Sequence, residues 1–158
     1  MKFYTKGFSL TEIIVVLAIL SLITGISTYV FQNINRKQSL EKAVANITSV
    51  INSVRSLSIS SKEFCSYGIS ISTTSNSISS FVVPDPSCTP DNFEPTSLLL
   101  NSFGVIMYNL TVNGGSITFQ KITGDTTNIG SFSLRPKDNP DNSSTTITVY
   151  STGLLEIN

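Results

Sequence analysis

The chain has 158 residues, with ten Lys and Arg set against ten Asp and Glu, no His, and only 13% of residues charged. That length suits one membrane-anchoring helix and one small globular domain. The charge balance argues against a general nucleic-acid or anionic-surface patch. The absence of His removes the usual general base, the usual metal ligand and Ser-His or Cys-His catalysis, so no enzyme is expected.

In chain order, Met1–Gly7 carries two lysines, Lys2 and Lys6, and is followed by Phe8-Ser9-Leu10-Thr11-Glu12 and an uncharged apolar run from Ile13 to Phe31. As a helix the run is long enough to cross a hydrocarbon core of roughly 30 Å. Its Ser, Thr and Tyr are tolerated in a membrane helix through back-bonding or contacts with neighbouring helices. Tyr4, Tyr29 and Phe31 fall near its ends, where aromatic rings anchor at the interface. Glu12 stands at its mouth. A carboxylate costs about 2.5–3.5 kcal/mol at a bilayer centre and less toward the ends, so it is a functional residue in search of a partner. Two lysines before the run and none within it place the N-terminus in the cytoplasm and the bulk of the chain outside. Gly25, inside the run, reads as a close helix contact or a point of local softness.

Lys6-Gly7-Phe8-Ser9-Leu10-Thr11-Glu12 before an apolar run resembles the class III leader of type IV pilins and pseudopilins. The resemblance implies cleavage by the prepilin peptidase, a membrane aspartyl enzyme, between Gly7 and Phe8. It implies N-methylation of Phe8, and Glu12 as the assembly carboxylate. A Gly accepts the extended backbone of a protease cleft without a side chain to clash. The freed Phe8 amine lies four residues from Glu12, which can pair with it within one subunit or with a neighbour's amine in a dry filament core, where an unpaired charge is costly. Glu12 would then act as a register device, as polar core residues do in coiled coils. Many pilins carry a Pro in this half of the helix, and none occurs here. The expected partners are other pilin or pseudopilin subunits, the peptidase, the inner-membrane assembly platform and, before assembly, lipid. The expected location is the inner membrane, single-pass, then a periplasmic or extracellular filament.

From Gln32 the pattern becomes amphipathic. Leu40, Ala43, Val44, Ile47, Val50, Ile51, Val54 and Leu57 recur at steps of three and four, with Arg36, Lys37, Glu41, Lys42, Asn46, Asn52 and Arg55 elsewhere. With no Pro or Gly from Ile26 to Ser66, one continuous helix is expected from Phe8 to about Ser60, on the order of 80 Å at 1.5 Å per residue. Its stripe needs a β domain, which follows. Alternating segments are expected as strands at 67–71, 78–83, 97–100, 105–110, 116–122, 131–134, 145–151 and 154–157. Turn signals separate them, with Asn113-Gly114 and Thr152-Gly153 read as hairpin turns. The expected fold is α+β and pilin-like, one long N-terminal helix packed on an antiparallel β domain. Its segments are a leader at 1–7, a transmembrane half at 8–31, an amphipathic half at 32–60 and a β-rich domain at 61–158.

Cys65 and Cys88 both follow the membrane run. A disulfide tying the helix exit to the Pro-rich loop is one reading, worth about 3 kcal/mol by loop closure; two free thiols in an anaerobic organism are the other. Asp138, Asn139, Asp141 and Asn142 crowd one loop. No bidentate Glu follows at EF-hand spacing and Pro140 interrupts, so a solvated hairpin loop is the reading adopted, with Ca²⁺ the alternative. No other cofactor is expected. The Asn-x-Ser/Thr triplets at Asn46, Asn109 and Asn142 arise by chance in so Ser- and Thr-rich a chain.

The segment 116–134 and the ending Ile147–Ile157 are similar to the GspH/FimT group of minor pseudopilins and minor pilins, which ends in a strand, a Gly turn and a last strand. Members of that group proposed to bind DNA carry basic residues after the terminal Gly. Here Gly153 is followed by Leu154, Leu155 and Glu156, so nucleic acid is not an expected partner. The implied function is a minor subunit of a type II secretion pseudopilus or a type IV pilus. The alternatives are a filament-tip binding subunit for DNA uptake or substrate recognition, and a major pilin.

Overall fold

The structure, a computed structural model, describes residues 7–60, 64–88, 93–138 and 143–158, without the side chains of 27–29. Its contacts divide the chain into two units, 1–35 and 36–158. Helix α1 runs from Leu10 to Ile59. It starts two residues later than the pattern suggests because Ser9 is its cap: the carbonyl of Ser9 accepts from Glu12 N (3.1 Å) and Ile13 N (3.3 Å).

In the first unit every side chain from Gly7 to Ile26 is exposed. Two of its hydroxyls are satisfied within the helix. Ser21 Oγ donates to the Ala18 carbonyl (2.8 Å) and Thr24 Oγ1 to that of Leu20 (2.9 Å), the back-bonding that lets hydroxyls sit in an apolar helix. By length and composition α1 is able to cross a membrane, with a mean hydropathy of 2.4 over its most apolar 18 residues.

The second unit holds the rest of α1 and eight strands. β1 (Tyr67–Ser72), β2 (Ser77–Val82), β3 (Ser97–Leu99) and β5 (Ser116–Phe119) form one antiparallel sheet in the order β3-β2-β1-β5. β4 (Val105–Tyr108), β6 (Gly130–Pro136), β7 (Thr145–Val149) and β8 (Leu155–Ile157) form the other in the order β4-β6-β7-β8. Both sheets and the helix share one core. Leu40, Ala43, Ile47, Ile51 and Val54 from α1 meet Tyr67, Ile69, Ile71, Ile78, Ile117 and Phe119 from the first sheet and Val105, Met107, Phe132, Leu134, Ile147 and Val149 from the second. The helix steps of three and four and the strand alternation aim these side chains inward. Burying each large one contributes about 1.5–3 kcal/mol.

All eight strands lie where the alternation puts them, and β4, β5 and β7 end two or three residues earlier than expected. β4 stops at Tyr108 because Asn109 turns to φ 51°, after which Thr111 N donates to the Ser131 carbonyl (2.8 Å). β5 stops at Phe119 because Gln120 N donates to the Asp125 carbonyl (2.8 Å) and folds the chain into a loop. β7 stops at Val149, where Tyr150 begins the turn into β8. Thr152-Gly153 is the hairpin turn between β7 and β8, with Gly153 at φ 71°. Asn113-Gly114 is not a hairpin turn. It lies in a 3-10 turn that carries the chain from β4 in one sheet to β5 in the other. Gly114 and Gly115 do supply positive φ there, but β5 pairs with β1, far back in sequence.

Asn76 joins the sheets. At φ 51° in the β1–β2 turn and 7% exposed, it donates from Nδ2 to the Val105 carbonyl (2.7 Å) and to Asn101 Oδ1 (2.8 Å), and accepts the Met107 amide at Oδ1 (2.8 Å). One amide thus satisfies the edge of β4 from the opposite sheet. At the C-terminal end of α1, Arg55 donates from Nε to the Gly124 carbonyl (3.3 Å) and from a terminal nitrogen to that of Thr152 (3.1 Å). Ser58 accepts the Tyr67 amide on its hydroxyl (3.0 Å) and the Ile122 amide on its carbonyl (3.1 Å), so the helix end is satisfied by the β domain.

Candidate processing and assembly site

The residues singled out from sequence at the N-terminus form one short stretch. Gly7, Phe8 and Ser9 precede the helix in non-helical backbone. A Cβ added at Gly7 would meet nothing within 4 Å, and the Phe8 side chain is 79% exposed. The Gly7–Phe8 bond therefore lies in accessible chain outside the helical hydrogen-bond ladder, the condition a protease cleft requires.

Ser9 and Glu12 stand in the spacing of a capping box, Ser-x-x-Glu, with Ser9 at the cap and Glu12 in the first turn. Glu12 N approaches Ser9 Oγ at 3.4 Å as well as the Ser9 carbonyl. Ser9 Oγ and Thr11 Oγ1 share a hydrogen bond of 2.5 Å. The first turn exposes orphan amides and the positive end of the helix dipole, and a carboxylate there is favoured by about 0.3–1 kcal/mol. Glu12 is thus held at the start of the apolar run with its carboxylate exposed, and among the described residues no cation pairs with it. Sequence reasoning singled out Glu12 for its place before the run. It missed Ser9 as the cap, although the Ser-x-x-Glu pattern signals it.

The other candidates lie elsewhere. Cys65 and Cys88 have their sulfurs joined at 1.91 Å, with Cα atoms 4.8 Å apart. Beside them Asp85 organises the loop. Its Oδ1 accepts from Ser87 N (2.9 Å) and Ser87 Oγ (2.7 Å), and its Oδ2 meets Lys121 Nζ at 2.8 Å. The Lys121 ammonium, then the Ser87 donors, hold the Asp85 carboxyl well below the usual carboxylate range. Tyr150 donates to Glu156 Oε2, and that carboxylate raises the phenol above its ordinary value. Of the Ca²⁺ candidates, Asp138 is exposed beyond the end of β6, and Asn139, Asp141 and Asn142 lie outside the described residues.

Comparison with known proteins bears on both units. The family model described as the prokaryotic N-terminal methylation motif matches residues 2–28. No curated protein matches the sequence. Among solved structures the chain is similar to the minor pseudopilin EpsH from the Type 2 Secretion System of Vibrio cholerae. One such structure has a TM-score of 0.58 at 12% identity, covering 76% of this chain and 96% of that one. A second has a TM-score of 0.55 at 13% identity, covering 77% and 94%. It is also similar to the type IV minor pilin FimU of Pseudomonas aeruginosa strain PAO1, with a TM-score of 0.58 at 11% identity, covering 79% and 92%. The chain thus joins a prokaryotic N-terminal methylation motif to the pilin-like fold of a minor pseudopilin and a minor pilin.

Proposed function

We propose that the chain is a minor pilin or pseudopilin, a structural subunit of a type II secretion pseudopilus or a type IV pilus. The prepilin peptidase cuts between Gly7 and Phe8, and Phe8 is N-methylated. The subunit waits in the inner membrane on α1, N-terminus inside and β domain outside, until the assembly platform adds it to the filament. Glu12 then pairs with the N-terminal amine of a neighbour.

One observation carries this reading: an accessible Gly7–Phe8 bond stands just before a capped helix whose first turn offers an exposed carboxylate to the start of an uncharged apolar run. A cut there would leave the Phe8 amine four residues from Glu12, within reach of a charge-assisted pair. Lys2 and Lys6 before the run support the orientation. The joined Cys65 and Cys88 suit an oxidising compartment for the β domain.

Mass spectrometry of the mature N-terminus, from cells with and without the peptidase, tests it. Methylated Phe8 as the first residue, seen only with the peptidase, is the expected result. Residues 1–7 retained in assembled filaments would overturn it.

A further inference from the structure

Within the second unit α1 and the first sheet enclose a half-open cavity of about 500 Å³. Its apolar lining is Val50, Val54 and Leu57 of α1 with Tyr67 and Phe93, and Ser53, Glu94 and Thr96 are exposed at its rim. Glu94 is the one charged residue lining it among the described residues. The wall is fixed on both sides. Thr96 N donates to Ser80 Oγ (2.7 Å), Ser80 N donates to the Thr96 carbonyl (2.9 Å), and the Phe93 ring rests on Tyr67 with centroids 5.2 Å apart.

We propose that this cavity binds a lysine or arginine side chain of a partner polypeptide. Three features select that chemistry. The apolar floor suits an aliphatic stem, and long basic side chains lay their stems on apolar surface while keeping the charge at the rim. The carboxylate stands at that rim, where an ammonium or guanidinium gains a charge-assisted bond. The Phe93 ring adds a face that attracts cations. A wholly apolar ligand would forgo the charge-assisted bond to Glu94, and an anion would be repelled. The volume falls within the range of preformed ligand sites, with room for the side chain and part of its backbone. The inference does not depend on the filament reading, because it uses only residues of the β domain and the helix half packed on it.

The test is a titration of the full chain in neutral detergent micelles, read by amide NMR shifts. The probe is the capped peptide Ala-Ala-Lys-Ala-Ala, compared with its norleucine counterpart and with n-butylammonium. Saturable shifts at Ser53 and Thr96 are expected with the lysine peptide, about tenfold weaker with norleucine. Glu94→Gln should weaken the lysine peptide about tenfold and leave norleucine unchanged. Both Glu94 and Ser53 are exposed, so their variants should keep the parent spectrum elsewhere. Ser53→Trp, which plugs the mouth, should abolish the shifts. Equal binding of both peptides, full affinity in Glu94→Gln, or no saturable shift would overturn the proposal. Saturable binding of n-butylammonium together with no binding of the lysine peptide would overturn the polypeptide as its source.

Discussion

The two halves of α1 obey opposite rules although nothing in the backbone separates them. From Leu10 to Ile26 every side chain is exposed and the sequence is apolar on all sides. From Leu40 to Val54 the apolar residues form one stripe, and Leu40, Ala43, Ile47, Ile51 and Val54 vanish into the core. The second half packs its stripe into the core of its own unit; the apolar side chains of the first half are exposed among the described residues. A helix of the first kind has its solvent supplied from outside, as lipid or as other helices. Glu12 fits the same division. It has no cation beside it among the described residues, whereas Glu41, in the second half, lies 3.9 Å from Lys37.

The largest expected effect strikes the first half. Glu12→Leu should reduce the protein in sheared filaments at least about tenfold, the smallest loss that a charge-assisted pair worth 1.5–3 kcal/mol implies, while leaving its amount in membranes unchanged. Glu41→Leu should change neither amount, since an exposed i,i+4 pair is worth only a few tenths of a kcal/mol. Immunoblots of sheared and membrane fractions read both. Normal polymerisation of Glu12→Leu would erase the contrast between the halves. Folding stability should show the mirror image. Ile47→Ala removes a fully buried side chain and should cost about 2–5 kcal/mol in denaturant unfolding. Ile19→Ala, 52% exposed, should stay within about 0.5 kcal/mol.

How much of this was legible beforehand follows from range. The helix, its stripe and all eight strands announce themselves in local periodicity, because burial on one face writes a period of 3.6 or 2 into neighbouring residues. Glu12 and Gly7-Phe8 stood out in the sequence because their spacing to an apolar run is local too. Strand partners were not. Asn113-Gly114 looks like a hairpin turn because Gly supplies positive φ wherever the chain then goes, and its true destination, β5 beside β1, is set by long-range burial of Ile117 and Phe119. Asn76 and Arg55 were invisible as joints for the same reason. Their partners lie 25 to 97 residues away in sequence, and no local pattern marks them.

Those long-range ties hold the two sheets and the second half of α1 together, and cutting them sharpens the comparison. Reducing Cys65–Cys88 reopens a loop of sequence separation 23, which should lower stability by about 3 kcal/mol in denaturant unfolding with and without reductant. Asn76→Leu strands the Met107 amide and the Val105 carbonyl in the core and should cost about 2 kcal/mol. Neither change touches the first half of α1, so both variants should still insert in membranes and be processed at the N-terminus.

The smallest effect is the one that pH controls. Asp85 is held ionised first by Lys121 and then by the Ser87 donors, so its folded pKa lies below the ordinary value of 3.8. A carboxylate depressed in the folded state contributes stability that is present above 3.8 and is lost as pH falls below it toward the folded value. Lys121→Ala should therefore narrow the gap between the parent and an Asp85→Asn variant at neutral pH, and the gap should shrink for the parent as well once the pH drops below 3.8. The group is at the surface, so added salt should shrink it too. Urea unfolding at neutral pH and at successively lower pH reads the difference directly. An acid limb that survives Lys121→Ala unchanged would take it away from the Asp85–Lys121 pair.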